Sequence, residues 1–107
     1  MATRALLALI VTLSFLPGAA SAKSARCLTT DDGEYDCEFT ATDSAGSFEI
    51  SAPGKPTFSL IMDAPGVAYG SADFGDGNVF LPGKFFRSES DPACWVNDAT
   101  DTQICAW

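Results

Sequence analysis

The sequence predicts an all-β protein: one small antiparallel β-meander that closes into a barrel or a sandwich and is stapled by two disulfides. Three observations support this prediction. Apolar and polar residues alternate along most of the chain, which is typical of half-buried strands. Clusters of Gly, Pro, Asn and Asp separate the alternating runs, and all four cysteines follow an apolar leader. No convincing helical pattern occurs after that leader.

Residues 1–22 have the features of a secretory signal peptide. Arg4 supplies a positive charge, Ala5 to Leu16 form an apolar run, and Ala20-Ser21-Ala22 provide the small residues that a signal peptidase recognises. The apolar run is too short to cross about 30 Å of hydrocarbon. We therefore expect cleavage at the end of this leader and a mature β-domain over residues 23–107 without membrane insertion. Its expected location is the periplasm or the medium of a bacterium.

The mature domain is strongly acidic. Arg4 leaves with the leader, so five basic residues remain against 14 acidic ones and the net charge is −9. Such a surface repels nucleic acid and anionic lipid, so it favours a cationic partner. The alternative is that the charge only keeps an exported protein soluble.

The cysteines predict a disulfide framework because an even number of them occurs in a small exported chain. Two hairpin disulfides, Cys27 with Cys37 and Cys94 with Cys105, are favoured because turn-forming residues lie midway between the members of each pair. The competing scheme joins Cys37 to Cys105 and Cys27 to Cys94. It closes longer loops, which stabilises a fold more in the chain-entropy model, on the order of 3–5 kcal/mol.

The alternating runs predict seven or eight short strands. Each run carries apolar residues at every second position and ends at a turn-forming cluster. A closed meander would remove exposed sheet edges from an exported protein. The predicted strand segments are 35–41, 48–52, 58–62, 67–74, 79–81, 84–88, 94–96 and 104–107.

The available residue types argue against an enzyme. The chain has no histidine, so it cannot form a Ser-His or Cys-His nucleophile. The cysteines include no C-x-x-C pair, so we expect no metal site and no cofactor. Asp73 to Asn78 resembles part of a calcium loop but lacks the closing glutamate of an EF-hand, so we interpret this segment as a turn. Paired carboxylates would need a shaped cleft, for which the domain has little room.

The segment from Pro82 to Arg87 is the best candidate for a recognition element. It combines a tight turn, the cations Lys84 and Arg87, and the adjacent aromatic residues Phe85 and Phe86. Neighbouring side chains of a strand point to opposite faces, which predicts that one of the two phenylalanines is exposed. The alternative is that a neighbouring loop covers that ring.

Three short motifs resemble the bacterial inhibitors of C-type lysozyme. They are Tyr35-x-Cys37 on the first long strand, Gly66-Val67-Ala68-Tyr69 in the middle of the chain, and Cys105 near the C-terminus. The resemblance runs over residues 35–105. It implies an exported eight-stranded antiparallel barrel with a loop that enters the lysozyme cleft, where a serine and a lysine engage the catalytic carboxylates.

The sequence departs from this family at two motifs. Pro65 stands where the family has the serine of its Ser-Gly-x-x-Tyr motif, and Gly83-Lys84 is the nearest counterpart of its Trp-x-Lys-Gly motif. We expect an exported binding protein, possible partners being lysozyme or another cationic cell-wall lytic enzyme. The alternative is a periplasmic structural or interaction module without inhibitory activity. The candidate binding residues are Tyr69, Lys84, Phe85, Phe86 and Arg87.

Overall fold

The computed structural model describes residues 22–107 as an all-β domain. The expected leader lies outside the described residues except for Ala22, where the first strand begins. Within the described range, no helix is long and apolar enough to span a membrane. The strands are β1 (Ala22–Thr29), β2 (Gly33–Ala41), β3 (Phe48–Ser51), β4 (Thr57–Ala64), β5 (Val67–Asp73), β6 (Asn78–Phe80), β7 (Phe85–Arg87), β8 (Cys94–Asn97) and β9 (Gln103–Ala106).

Eight of these strands close into an antiparallel barrel. Their order is β4-β3-β2-β1-β9-β8-β7-β5, and β5 pairs back onto β4. The remaining strand, β6, pairs with β5 and with no other strand of residues 22–107. The predicted fold class, an antiparallel meander that closes into a barrel or a sandwich, is confirmed, and the closed form is the barrel.

β6 and β7 follow the same edge of β5 and are separated by a bulge. Ser71 lies opposite Phe80, and Ala68 lies opposite Phe85. Residues 81–84 therefore face only two residues of β5. Such an insertion bends a strand and re-aims its side chains. Here it brings β7 beside β8 while β6 continues along β5 without a second neighbour.

Both predicted disulfides are confirmed. Cys27–Cys37 joins β1 to β2, and Cys94–Cys105 joins β8 to β9, with Cα–Cα separations of 5.9 and 4.0 Å. Because β1 also pairs with β9, the two disulfides brace four consecutive strands, β2-β1-β9-β8. Two disulfides in a small domain are consistent with an oxidising compartment outside the cytoplasm.

The core fills the barrel with side chains from almost every strand. Phe85 is completely buried, and its ring lies over Gly70 of β5, where a Cβ atom would come within 2.5 Å of Phe85 Cε1. Glycine at position 70 therefore makes room for the largest fully buried side chain. The other core residues with no exposed surface are Cys27, Ile50, Leu60, Ala68, Ala72 and Ile104.

The eight predicted strand segments correspond to β2 through β9, but the strand before the first turn was not among them. β1 pairs with β2 along its full length. Its first residues include Lys23, Ser24 and Arg26, and only Cys27 and Thr29 are buried. The apolar alternation that reveals a strand is therefore weak in β1, which owes its conformation to pairing with neighbours on both sides.

Candidate binding surface

Five apolar side chains form a continuous row on the outside of the barrel, which we term the outer patch: Ile61, Val67, Tyr69, Phe86 and Val96. The strand register places these residues side by side. Ile61 lies opposite Tyr69, Val67 lies opposite Phe86, and Phe86 lies opposite Val96. Four of the five are exposed, and Val67 is partly buried between them. The outer patch thus crosses four neighbouring strands, β4, β5, β7 and β8.

Phe85 and Phe86 separate onto opposite faces of β7. Phe86 is 42% exposed, whereas Phe85 is 0% exposed. Alternation along β7 explains this difference and agrees with the expectation that one of the two rings is exposed. A side chain without exposed surface cannot contact a partner, so Phe85 leaves the set of candidate contact residues. Its ring packs on Gly70 inside the barrel instead.

Lys84 lies at the edge of the outer patch beside Tyr69. Its Nζ is 5.1 Å from the centroid of the Tyr69 ring and 3.4 Å from Asp63 Oδ2. Interaction with the Tyr69 side chain, and then with the Asp63 carboxylate, raises the pKa of Lys84 above its usual value. Lys84 therefore already has an acidic partner on its own barrel.

Arg87 is held away from the outer patch. Its guanidinium group lies over the Trp95 ring at 4.6 Å from the centroid, and Nη1 donates a hydrogen bond to the carbonyl oxygen of Pro92 at 3.1 Å. The side chain lines a concavity of about 250 Å³ together with Phe48 and Trp95. The structure thus brings Tyr69, Lys84 and Phe86 together and places Arg87 in a separate aromatic cluster.

The cations of residues 22–107 are all engaged within the domain. Arg26 contacts Glu34 and Asp36, Lys55 contacts Asp32, and Lys84 contacts Asp63. The ring of Phe39 lies beneath Lys23 Nζ at 5.5 Å. Because these contacts neutralise only part of the acidic side chains, the surface keeps a large negative excess.

One end of the barrel collects much of this negative charge, and we term it the acidic end. It is formed by the loops β1–β2, β3–β4, β5–β6 and β8–β9. These loops touch one another: Thr30 Oγ1 donates to the Asp101 carbonyl oxygen at 3.1 Å, and Lys55 Nζ lies 3.8 Å from Asp32 Oδ1. Lys55 is the sole cation in these four loops. Their aspartates, including the last residue of β5, are Asp31, Asp32, Asp73, Asp76, Asp98 and Asp101.

The segment from Asp73 to Asn78 forms the β5–β6 connection, as its interpretation as a turn predicts. Asp73 Oδ1 accepts hydrogen bonds from the backbone N–H groups of Gly75 and Gly77 at 2.8 and 3.3 Å. This carboxylate therefore stabilises the loop itself. Among residues 22–107, no group of three or more acidic, cysteine or histidine side chains has the arrangement of a metal site.

Sequence reasoning missed both the acidic end and the exposure of β6. Phe80 is 82% exposed, and Phe74 and Val79 of the same region are also exposed. The apolar run at residues 79–81 predicts a strand but does not reveal that the strand lacks a second neighbour. The aspartates lie in turns that are far apart in sequence, and only barrel closure brings them together.

No protein-family model, curated protein or solved structure significantly matches the chain.

Proposed function

We propose that this chain is an exported binding protein that binds a cationic protein through the outer patch, with a C-type lysozyme or another cationic cell-wall lytic enzyme as its target. The observation that carries the proposal is the outer patch, in which four exposed apolar side chains, Ile61, Tyr69, Phe86 and Val96, lie on neighbouring paired strands. Apolar side chains that lie together on a protein surface favour an interaction site. The proposal assigns no catalytic step to the domain.

The composition of the outer patch suits a protein partner. A few residues supply most of the binding energy in a protein interface, aromatic residues are enriched there, and surrounding contacts exclude water from them. Tyr69 and Phe86 are each 42% exposed and stand on paired strands. Because the strands are held from inside by the packing of Phe85 on Gly70, little conformational freedom is lost on binding.

Charge supports a cationic partner. The part of the chain that would be exported carries 14 acidic and five basic residues, and opposite charge accelerates the encounter of two proteins. We expect association with a basic protein to slow as the salt concentration rises, because exposed charges are screened over about 10 Å at 0.1 M salt.

Lys84 is expected to contribute less to partner binding than the aromatic residues of the outer patch. In the lysozyme inhibitors that the sequence resembles, a lysine engages a catalytic carboxylate. Lys84 already lies 3.4 Å from Asp63 Oδ2, so contact with a partner's carboxylate would exchange one acidic partner for another. Such an exchange yields a small net gain, and we therefore assign the main anchoring role to Phe86 and Tyr69.

The test measures lysis of a bacterial cell-wall suspension by a C-type lysozyme in the presence of the purified chain. We expect the wild-type chain to slow lysis and the Phe86→Ala variant to inhibit at least about tenfold less well, the loss typical of an aromatic anchor. Phe80→Ala is the matched control because it removes an exposed aromatic ring that lies outside the outer patch. Equal inhibition by the two variants would contradict the assignment of the outer patch.

A second candidate function is binding without inhibition. It is favoured by Pro65, which replaces the serine of the family motif, and by the pairing of Lys84 with Asp63. The two functions are separated by measuring lysozyme binding calorimetrically beside lysis. Binding that depends on Phe86 but leaves lysis unchanged supports the second function, and absence of binding at a large molar excess rules out lysozyme as the partner.

A further inference from the structure

We propose that the outer edge of β6 binds an extended, cationic polypeptide segment, which adds to the sheet as an antiparallel or parallel strand. This inference concerns a different surface from the outer patch and goes beyond the proposed function. It rests on three properties of β6: an unpaired backbone edge, exposed apolar side chains, and the negative charge of the acidic end beside it.

The backbone edge follows from the hydrogen-bond pattern between β5 and β6. The Leu81 N–H donates to the Gly70 carbonyl oxygen at 2.9 Å, and Ser71 lies opposite Phe80. Bonding alternates along an antiparallel ladder, so Val79 directs its N–H and C=O groups at β5. Asn78 and Phe80 direct theirs away from β5, where no strand of residues 22–107 pairs with them.

The side chains of β6 add apolar contact to this edge. Phe80 is 82% exposed, the largest exposed fraction among the large apolar residues of the described domain. Val79 and Phe74 are exposed nearby, and Phe74 packs edge-on against Phe58, with ring centroids 6.2 Å apart. Added strands bind through main-chain hydrogen bonds, with apolar contacts to alternate side chains. β6 offers both.

The charge around the edge identifies the occupant. A small cavity lined by Thr29, Asp31, Phe74, Leu81 and Thr102 brings the β1–β2, β5–β6 and β8–β9 loops together beside β6. Asp31, Asp76 and Asp101 belong to these loops, and none of them forms an ion pair with a residue of the described domain.

A second copy of the chain suits this edge poorly. It would bring the same acidic loops against each other, and like charges repel. A segment that carries Lys or Arg gains attraction from the same carboxylates. A three-residue edge is too short to hold a long strand by backbone bonds alone, so charge and the Phe80 ring must contribute to the choice of partner.

The experiment uses a fluorescently labelled six-residue peptide of alternating Lys and Val as the probe. Binding to the purified chain is followed by anisotropy, and amide hydrogen exchange is followed at Asn78 and Phe80 by NMR. We expect saturable binding and slower exchange at both amides. Two control peptides test the mechanism: one has Glu in place of Lys, and the other carries N-methyl groups on alternate backbone nitrogens, which removes donors but keeps the charge.

Two variants separate the contribution of the backbone N–H to peptide binding from that of the Phe80 ring. Phe80→Ala removes the ring, whereas Phe80→Pro also removes the outward N–H at a position where an edge strand tolerates proline. We expect affinity for the Lys-Val peptide to fall at least about tenfold in Phe80→Pro and less in Phe80→Ala. The matched control is Phe86→Ala, which changes the outer patch and should bind the peptide normally.

The outcomes distinguish this inference from the proposed function. Equal binding of the N-methylated peptide, or unchanged exchange at Asn78 and Phe80, overturns strand addition at β6. Slower exchange that depends on protein concentration without peptide means that a second copy occupies the edge, which also overturns the proposed occupant. If Phe86→Ala loses lysozyme inhibition but still binds the peptide, the result bears only on the role of the outer patch. If Phe80→Pro loses peptide binding but still inhibits lysozyme, the result bears only on the role of β6.

Discussion

The two halves of the barrel are held together in different ways. β2, β1, β9 and β8 form a stapled half, in which Cys27–Cys37 and Cys94–Cys105 link neighbouring strands. β3, β4, β5 and β7, with β6 at the edge of β5, form an open half without a covalent link. Most of the exposed large apolar side chains belong to the open half: Ile61, Tyr69, Phe74, Val79, Phe80 and Phe86.

The outer patch lies mainly on the open half, and only Val96 comes from the stapled half. A disulfide stabilises a fold mainly by restricting the unfolded chain. The open half depends on core packing, above all on Phe85 against Gly70. Its strands can present Tyr69 and Phe86 outward because alternation sends Ala68 and Phe85 inward. The same strands thus hold the core and display the outer patch.

The largest expected effect follows from removing a staple. Replacing both Cys94 and Cys105 by alanine should lower the free energy of unfolding by about 2–4 kcal/mol, because the unfolded chain regains the freedom of the closed loop. Urea unfolding measures this loss. Replacing Cys27 and Cys37 is the matched comparison, since the sequence separations of 10 and 11 are nearly equal. A loss below about 1 kcal/mol in both variants would contradict the dependence of the stapled half on its disulfides.

The second prediction tests the core of the open half. Gly70→Ala places a Cβ atom 2.5 Å from Phe85 Cε1 and 3.3 Å from Leu81 Cδ1. We expect the free energy of unfolding to fall by about 1–3 kcal/mol, the usual cost of overpacking a core. Phe85→Leu makes room for the new methyl group, so the double variant should lose less than the sum of the single variants. Additive losses would show that the Phe85 ring does not limit the size of the side chain at position 70.

Much of the fold could be predicted from the sequence because its signals are local. Alternation and turn residues predicted strands that correspond to β2 through β9, and the turn residues between the cysteines of each pair predicted the disulfide pairing. The opposite orientation of Phe85 and Phe86 also follows from neighbouring positions in one strand. These features require knowledge of only a few consecutive residues.

The features that could not be predicted depend on register between distant strands. The four residues 81–84 that face two residues of β5 decide both that Lys84 meets Tyr69 and that β6 remains at an edge. The number of bulged residues is not apparent in the sequence pattern. The acidic end likewise depends on barrel closure, because Asp31 and Asp101 lie near opposite ends of the domain's amino-acid sequence. To predict that Phe85 is the buried ring, one would need to know which face of β7 is directed at the core.

The smallest expected effect concerns the β2–β3 turn, one of the two connections between the halves. Asp43 Oδ1 accepts hydrogen bonds from the N–H groups of Ala45 and Ser47 at 2.8 and 3.0 Å, and Ser47 Oγ accepts one from the Met62 N–H of β4 at 2.8 Å. The side-chain hydrogen bond with Ser47, followed by the backbone donors, lowers the pKa of Asp43 below its ordinary value of 3.8. The ionised carboxylate therefore favours the folded state.

The sign of the pH dependence follows from this lowered pKa. In the unfolded chain Asp43 has its ordinary pKa of 3.8, and the stabilisation by its carboxylate is complete well above that pH. The stabilisation disappears as the pH falls through the lower pKa of the folded state. Asp43→Asn keeps an oxygen acceptor but does not titrate, so the stability difference between wild type and this variant should narrow as the pH falls below about 4. Thermal unfolding from pH 7 to pH 2 measures the difference, with Asp76→Asn as the control outside this turn. A constant difference across that range would show that the charge of Asp43 contributes nothing to the junction between the halves.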